Sequence, residues 1–479
     1  MREVNYQLMT IEHRTSLASV QKPYLHEDIF VSAPWVVLFL ALILVGTISY
    51  TFKNDNPSDF YFSSLINAII SSLIVVSCFS VALIRFLLYE RSRLPSARLK
   101  ASLLSTLLAI AFISLFVAFM ELFSLPLALS YKTFYILFFV LFTSSLILFI
   151  IQSTLHHFPL LAALLFILLL LVPLTGFIGS ELGGALGYIM GLALSQVLIF
   201  FVQWFLLSRQ LGSELVLAGD FFSYLKMDVG SLLIGVFSAI GIFADKLISV
   251  GVGNSSSSLP SFQLTYNYNI AFSLAIVFLI PAFVFFIVAI EKDSYHRYRF
   301  FYECICYKKP LKELLEARDK LVHFLLRAMT LILAILIFTV FLATYFAPAI
   351  YTLLGLNYED ISLFRYSLWG NSLYVLFTII CILLYYFEFN FTVILLYGLF
   401  AFLNSLLSLL NMVWFHFHPM YIFPIVSLLV VMLAISLFAY YLNNLVEILF
   451  KRQELSLKLR RSHIEECRLI LLKKDSQDE

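Results

Sequence analysis

"GIFADKLISVG", residues 241–251, reads as a membrane span interrupted by an aspartate and a lysine. Each ionised side chain near the middle of a bilayer costs roughly 2.5–3.5 kcal/mol on insertion scales. A chain that keeps Asp245 and Lys246 there must surround the carboxylate with protein or water, never hydrocarbon. The rest of the sequence makes the membrane reading unavoidable. Hydrophobic residues fill 62% of 479 positions and charged residues only 13%, against about 25% charged in soluble domains. No soluble core hides that much apolar surface, so the solvent is lipid. A lipid-embedded backbone must satisfy its own hydrogen bonds, and apolar runs of this length do so as helices.

About 20 apolar residues cross ~30 Å of hydrocarbon. Runs of that kind predict twelve spans, at 30–50, 60–88, 103–125, 131–151, 158–179, 185–207, 230–251, 270–290, 321–346, 366–387, 391–413 and 421–442. Twelve spans put both termini on one side, and the basic residues agree. Segments 1–29, 85–100, 208–229, 291–320 and 451–479 hold 26 of the 31 Lys and Arg, while the opposite side holds only Lys53, Lys132 and Arg365. Lysine and arginine concentrate in cytoplasmic loops, so both termini are expected in the cytoplasm. Residues 1–29 are polar, mixed in charge, and do not read as a cleavable secretory signal.

The expected organisation follows. A cytoplasmic N-terminal segment (1–29) precedes a first six-helix bundle (30–207), a cytoplasmic connector (208–229), a second six-helix bundle (230–442) with a basic cytoplasmic loop at 291–320, and a basic tail (443–479). A basic loop follows the second span of each half. That matched pattern points to two parallel repeats, although no residue-level repeat accompanies it. The longest outer loop, 252–269, contains the uncharged run "GVGNSSSSLPSF" and reads as flexible. In the basic loop, Pro310 followed by Leu311, Leu314, Leu315 and Leu321 fits a short amphipathic helix on the membrane or a partner. The tail mixes basic and leucine residues in the same manner.

Chemistry-bearing motifs are missing from the sequence. There is no GxxxxGK[ST], no HExxH and no GxSxG. The outer-loop carboxylates Asp55 and Asp59 in "KNDNPSD" read as a solvated turn, not as a glycosyltransferase centre. Five cysteines form no disulfide framework, and the CxC at Cys304 and Cys306 lacks a second ligand pair. Neither a metal nor a cofactor is expected. Polar groups scattered through the spans, among them Asn67, Gln196, Gln203, Asn371, Asn404 and Asn411, suit helix–helix hydrogen bonding when taken singly. Adjacent side chains on a helix point about 100° apart, so Asp245 and Lys246 are not expected to neutralise each other. Lys246 has a stem long enough to reach the outer surface, while Asp245 is left to protein or a hydrated path. At the start of the eighth span, "FQLTYNYNIAF" gathers Tyr266, Asn267, Tyr268 and Asn269, amide and phenol groups suited to sugar hydroxyls and ring faces.

From Gly219 to Tyr302 the chain resembles the PelG family of exopolysaccharide transporters, which group with the multidrug/oligosaccharidyl-lipid/polysaccharide flippases. The resemblance rests on "GDFFSYL" at 219–225, "FADK" at 243–246, "YNIAF" at 268–272 with Ile280-Pro281 following, and "FFIVAIEKDSYHRYRFFYE" at 285–303. "SAPWV" at 32–36 resembles the opening of the family's first span. Close similarity covers about a fifth of the chain; the rest agrees in length, span count and hydropathy. The family usually has Trp where Phe243 stands, Gly where Ala33 stands and Asp where Asn269 stands, and its N-terminal Gly-Phe-Glu-Leu-Arg motif is not recognisable here.

The resemblance implies an all-α polytopic membrane protein of MATE/flippase type, with two six-helix bundles around a cavity. It also implies export of an amino-sugar-rich polysaccharide across a bacterial inner membrane. Expected partners are the polysaccharide, a separate cytosolic glycosyltransferase, other membrane components of a synthesis complex and the bilayer; nucleic acid is not among them. Asp245, Lys246, Tyr266, Tyr268 and Asn269 are the transport-path candidates. Arg297, Arg299, Lys308 and Lys309 are candidates for hand-over or partner contact. The alternatives are a lipid-linked oligosaccharide flippase, a cation-coupled drug antiporter of the same superfamily, a membrane glycosyltransferase or polymerase, and a scaffold for a synthesis complex.

Overall fold

The structure, a computed structural model, describes residues 58–90, 96–123, 128–154, 158–211, 219–251, 258–289, 295–306, 309–353, 358–415, 419–448 and 450–451. The expected first span at 30–50 and most of the basic tail lie outside these residues. Among the described residues there is no strand. The helices are α1 (Ser58–Glu90), α2 (Ser96–Phe123), α3 (Leu129–Thr154), α4 (Phe158–Leu211), α5 (Asp220–Met227) and α6 (Val229–Gly251). They continue as α7 (Ser258–Ala289), α8 (Tyr295–Cys306), α9 (Leu311–Leu353), α10 (Ile361–Tyr386), α11 (Asn390–Leu410) and α12 (Ile422–Asn443). Nine described helices are long and apolar enough to cross a membrane.

Several hydroxyls in these helices close onto their own backbone, as hydrocarbon favours. The hydroxyls of Ser72, Thr106 and Thr143 donate to carbonyls one turn back, each at 2.8 Å. α4 runs through two expected spans. Its helix breaks at Gly183 and Gly184, whose φ of −148° and +59° fold it into limbs 158–182 and 185–211. The limbs meet backbone to backbone: a Cβ on Gly179 would lie 2.2 Å from the Gly187 carbonyl oxygen, and one on Gly191 2.1 Å from that of Thr175.

Packing gathers the chain into two compact units. The larger holds the described residues up to Phe285 together with Leu333–Ala434. Its core includes Leu73, Phe139, Leu192 and Phe243 in one cluster, and Leu83, Phe86, Leu148 and Phe221 in another. Within it α1 and α6 approach closely, so that a Cβ on Gly235 would sit 2.6 Å from the carbonyl oxygens of Ser77 and Cys78. The smaller unit holds Phe286–Ile332 and the chain from Ile435 on. There the Arg297 guanidinium lies 4.1 Å from the Phe324 ring centroid, and Lys309 pairs with Glu313 at 3.6 Å.

Two local expectations are corrected. The Ser-rich run does not stay a loop to residue 269: α7 begins at Ser258, and Pro260 sits in its first turn, where a missing N–H costs no hydrogen bond. Nor does 310–321 form a separate amphipathic helix. It is the first part of α9, 43 residues without a break, about 65 Å long at 1.5 Å per residue and about twice the hydrocarbon thickness. Leu314 and Leu321 are buried while Leu311 is exposed.

Candidate functional site

The site forms around the charged pair in α6. Phe243 and Lys246, three residues apart, share a helix face, and so do Tyr268 and Phe272 of α7, four apart. Asp245 is 1% exposed and Lys246 2%. Of the two surroundings expected for the carboxylate, protein is the one found. The Tyr268 hydroxyl donates a short hydrogen bond to Asp245 Oδ2. Asp245 Oδ1 has no hydrogen-bond partner but lies 3.8 Å from Lys246 Nζ. The pair therefore does meet within one helix, contrary to the angular expectation, because the lysine stem folds back instead of reaching outward.

The ammonium is boxed by rings. Lys246 Nζ lies 3.4 Å from the Phe272 centroid, 5.0 Å from Tyr268, 5.4 Å from Phe243 and 5.5 Å from Phe423. It also donates to the Ile242 carbonyl at 3.2 Å. Ring faces carry negative potential and attract a cation, most strongly where water is excluded. Two asparagines brace the walls: Asn371 of α10 donates to the Phe272 carbonyl at 3.2 Å, and Asn404 of α11 to that of Gly241 at 2.8 Å. These two amides serve helix–helix bonding. Chemically the group holds an ammonium, the chain's own Lys246, beside a carboxylate and among four aromatic rings.

The structure brings Asp245, Lys246 and Tyr268 together. Tyr266 and Asn269 ride on α7, with side chains outside those described. Arg297 and Lys309 belong to the smaller unit; the Arg299 side chain and Lys308 lie outside the described residues. Sequence reasoning missed Phe272 and Phe423 as ring walls. The four-residue spacing from Tyr268 could have found Phe272, whereas Phe423 arrives from α12 and leaves no local signal.

A second polar cluster, also unforeseen, sits where several helices end. Arg85, close to the end of α1, donates to Asp228 Oδ2 at 3.1 Å and to Asn390 Oδ1 at 3.3 Å, and its guanidinium lies 4.2 Å from the Tyr385 centroid. Ser231 donates to Asp228 at 2.6 Å and pairs with the Tyr385 hydroxyl at 3.1 Å; Tyr224 donates to Asp228 at 3.2 Å. Burial pushes the Asp228 carboxyl up, but the Ser231 hydroxyl and the Arg85 guanidinium outweigh it and hold it below the usual carboxylate range. With a depressed value, its stabilising contribution persists through neutral pH and is lost only as pH falls through that lowered pKa.

The solved structures that this body of apolar helices resembles in fold are membrane transporters. An outward-facing conformation of a multidrug resistance MATE family transporter of the MOP superfamily matches at TM-score 0.51 and 12% identity, over 86% of this chain and 96% of that one. An inward-facing conformation of such a transporter matches at 0.53 and 10%, over 88% and 99%. A MOP superfamily transporter from Pyrococcus furiosus matches at 0.50 and 11%, over 86% and 96%. The protein is an all-α multi-pass membrane protein with the MATE-type transporter fold. Residues 3–450 match the family described as "PelG: Putative exopolysaccharide Exporter (EPS-E)", and the chain belongs to that family. No curated protein matches it.

Proposed function

We propose that the chain exports an amine-bearing polysaccharide across the inner membrane of a bacterium, with both termini in the cytoplasm. A separate cytosolic glycosyltransferase makes the polymer and passes it on at the basic face around 291–320. The family match over residues 3–450 carries this reading, and the chemistry around Asp245 supports it. A polymer with free amines presents ammonium groups, the group that Asp245 and the rings of Phe243, Tyr268, Phe272 and Phe423 already hold on Lys246. Asp245 is the candidate anionic partner for such groups, and Tyr268 fixes its orientation. Arg297 and Lys309 are the described candidates for hand-over. The chain works by binding and moving its substrate, not by catalysing its synthesis.

Deleting the gene and restoring it on a plasmid tests this. Extracellular amine-bearing polysaccharide should vanish and return, and Asp245→Asn at normal protein level should cut it about tenfold. Unchanged secretion on deletion would overturn the export reading. Unchanged secretion in Asp245→Asn alone would leave the pair a structural one. Sugar transfer by the purified chain would instead make it a glycosyltransferase.

A further inference from the structure

The Arg85 cluster is not used by the site above, although its neighbour "GDFFSYL" is one of the stretches carrying the family resemblance. Every member lies at one end of its helix: Arg85 and Arg98 flank the α1–α2 connection, Asp220 and Asp228 bracket α5, and Tyr385 and Asn390 bracket the α10–α11 turn. The first half of the chain supplies the arginines, and the second half supplies Tyr385 and Asn390.

α5 is tied firmly to the first-half helices. Arg98 holds Asp220 with two hydrogen bonds of 2.9 and 3.1 Å, the Ser102 hydroxyl accepts the Phe221 N–H at 3.1 Å, and the Phe221 ring packs edge-on against Phe86 at 5.4 Å. The α10–α11 turn is equally defined. Phe387 and Phe389 are buried, and Glu388 between them holds a φ of +65°, uncommon for a residue with a Cβ. The contacts between these parts include Arg85 on Asn390, Arg85 over the Tyr385 ring, and Ser231 on the Tyr385 hydroxyl, and α6 also packs on α11 here, where a Cβ on Gly230 would lie 3.3 Å from Ile394 Cδ1. Arg85 and Asp228 keep 22% and 20% side-chain exposure, whereas the Asp245–Lys246 pair is buried to 0% and 2% by the same measure.

We infer that Arg85, Asp228, Ser231, Tyr385 and Asn390 form a latch that closes this end of the transporter, and that releasing it lets the α10–α11 turn part from α1 and α5. The end it closes is the cytoplasmic one if the orientation proposed above is right; the latch itself does not depend on that orientation.

Hydrogen–deuterium exchange on the full chain in lipid nanodiscs tests it, comparing wild type with Arg85→Ala, the isosteric Asp228→Asn, and Asn390→Ala. Exchange in segments 226–233 and 384–391 should rise about tenfold, while the Gly183–Gly184 turn, at the other end of its helices, stays unchanged. Unaltered exchange in these segments would overturn the latch. So would a rise spread equally over both ends, since that reports lost stability without opening. Asp228→Asn and Asn390→Ala, which each remove little volume, decide the matter should Arg85→Ala fail to fold.

Discussion

At the scale of single residues, Lys246 decides how much charge the interior carries. Its ammonium has a carboxylate at 3.8 Å and a ring centroid at 3.4 Å, so removing either charge strands the other in a dry site. Breaking a buried pair by deleting one partner typically costs about 3–5 kcal/mol, whereas replacing both by apolar or neutral groups is often close to neutral. Asp245→Asn and Lys246→Met should therefore each lower the thermal unfolding midpoint in detergent clearly, and the double variant should recover most of the loss. Additive losses would mean that the two side chains do not act as a pair. The sequence made the pair conspicuous, because two charges in an apolar run must be compensated. It could not show that the lysine folds back, since that depends on Phe272 and Phe423 arriving from α7 and α12.

At the scale of elements, hydropathy placed most spans well because each must hide its own backbone from lipid over a set thickness. Ends were harder. Nothing apolar marks Ser258 as a helix start, and the mixed charge of 310–320 hides that α9 continues unbroken to Leu353. The α4 break was legible as the gap between spans at 179 and 185, but the closeness of its limbs was not. Gly179 and Gly187 exist for that closeness: a Cβ on Gly187 would meet the Gly179 carbonyl oxygen at 2.1 Å, and the backbone cannot yield as a side chain would. Overpacking of this kind costs about 1–3 kcal/mol. Gly183, with nothing within 4 Å and a φ of −148°, is free of that constraint. Thermal unfolding should show Gly179→Ala and Gly187→Ala destabilised and Gly183→Ala within about 0.5 kcal/mol of wild type. Equal losses at all three would mean that the limbs separate at little cost.

For the whole molecule, what remains is which way it faces, and this decides which compartment the Arg85 latch closes off. The uneven charge, 26 of 31 Lys and Arg in the segments expected on one side, argues for the cytoplasm there, because juxtamembrane cations resist translocation. The proposed latch falls on that expected side, since Arg85 and Arg98 belong to the basic 85–100 segment. Fusions read the orientation directly. A fluorescent protein joined after Lys451 should fluoresce, because it folds in the cytoplasm, and alkaline phosphatase joined after Gly253 should be active, because its disulfides form outside. With that outcome, the proposed latch closes the cytoplasmic end, and under the proposed export its opening is the admitting step. The reverse outcome would turn the protein over, make the same latch the barrier to release, and move the 291–320 basic face away from any cytosolic glycosyltransferase.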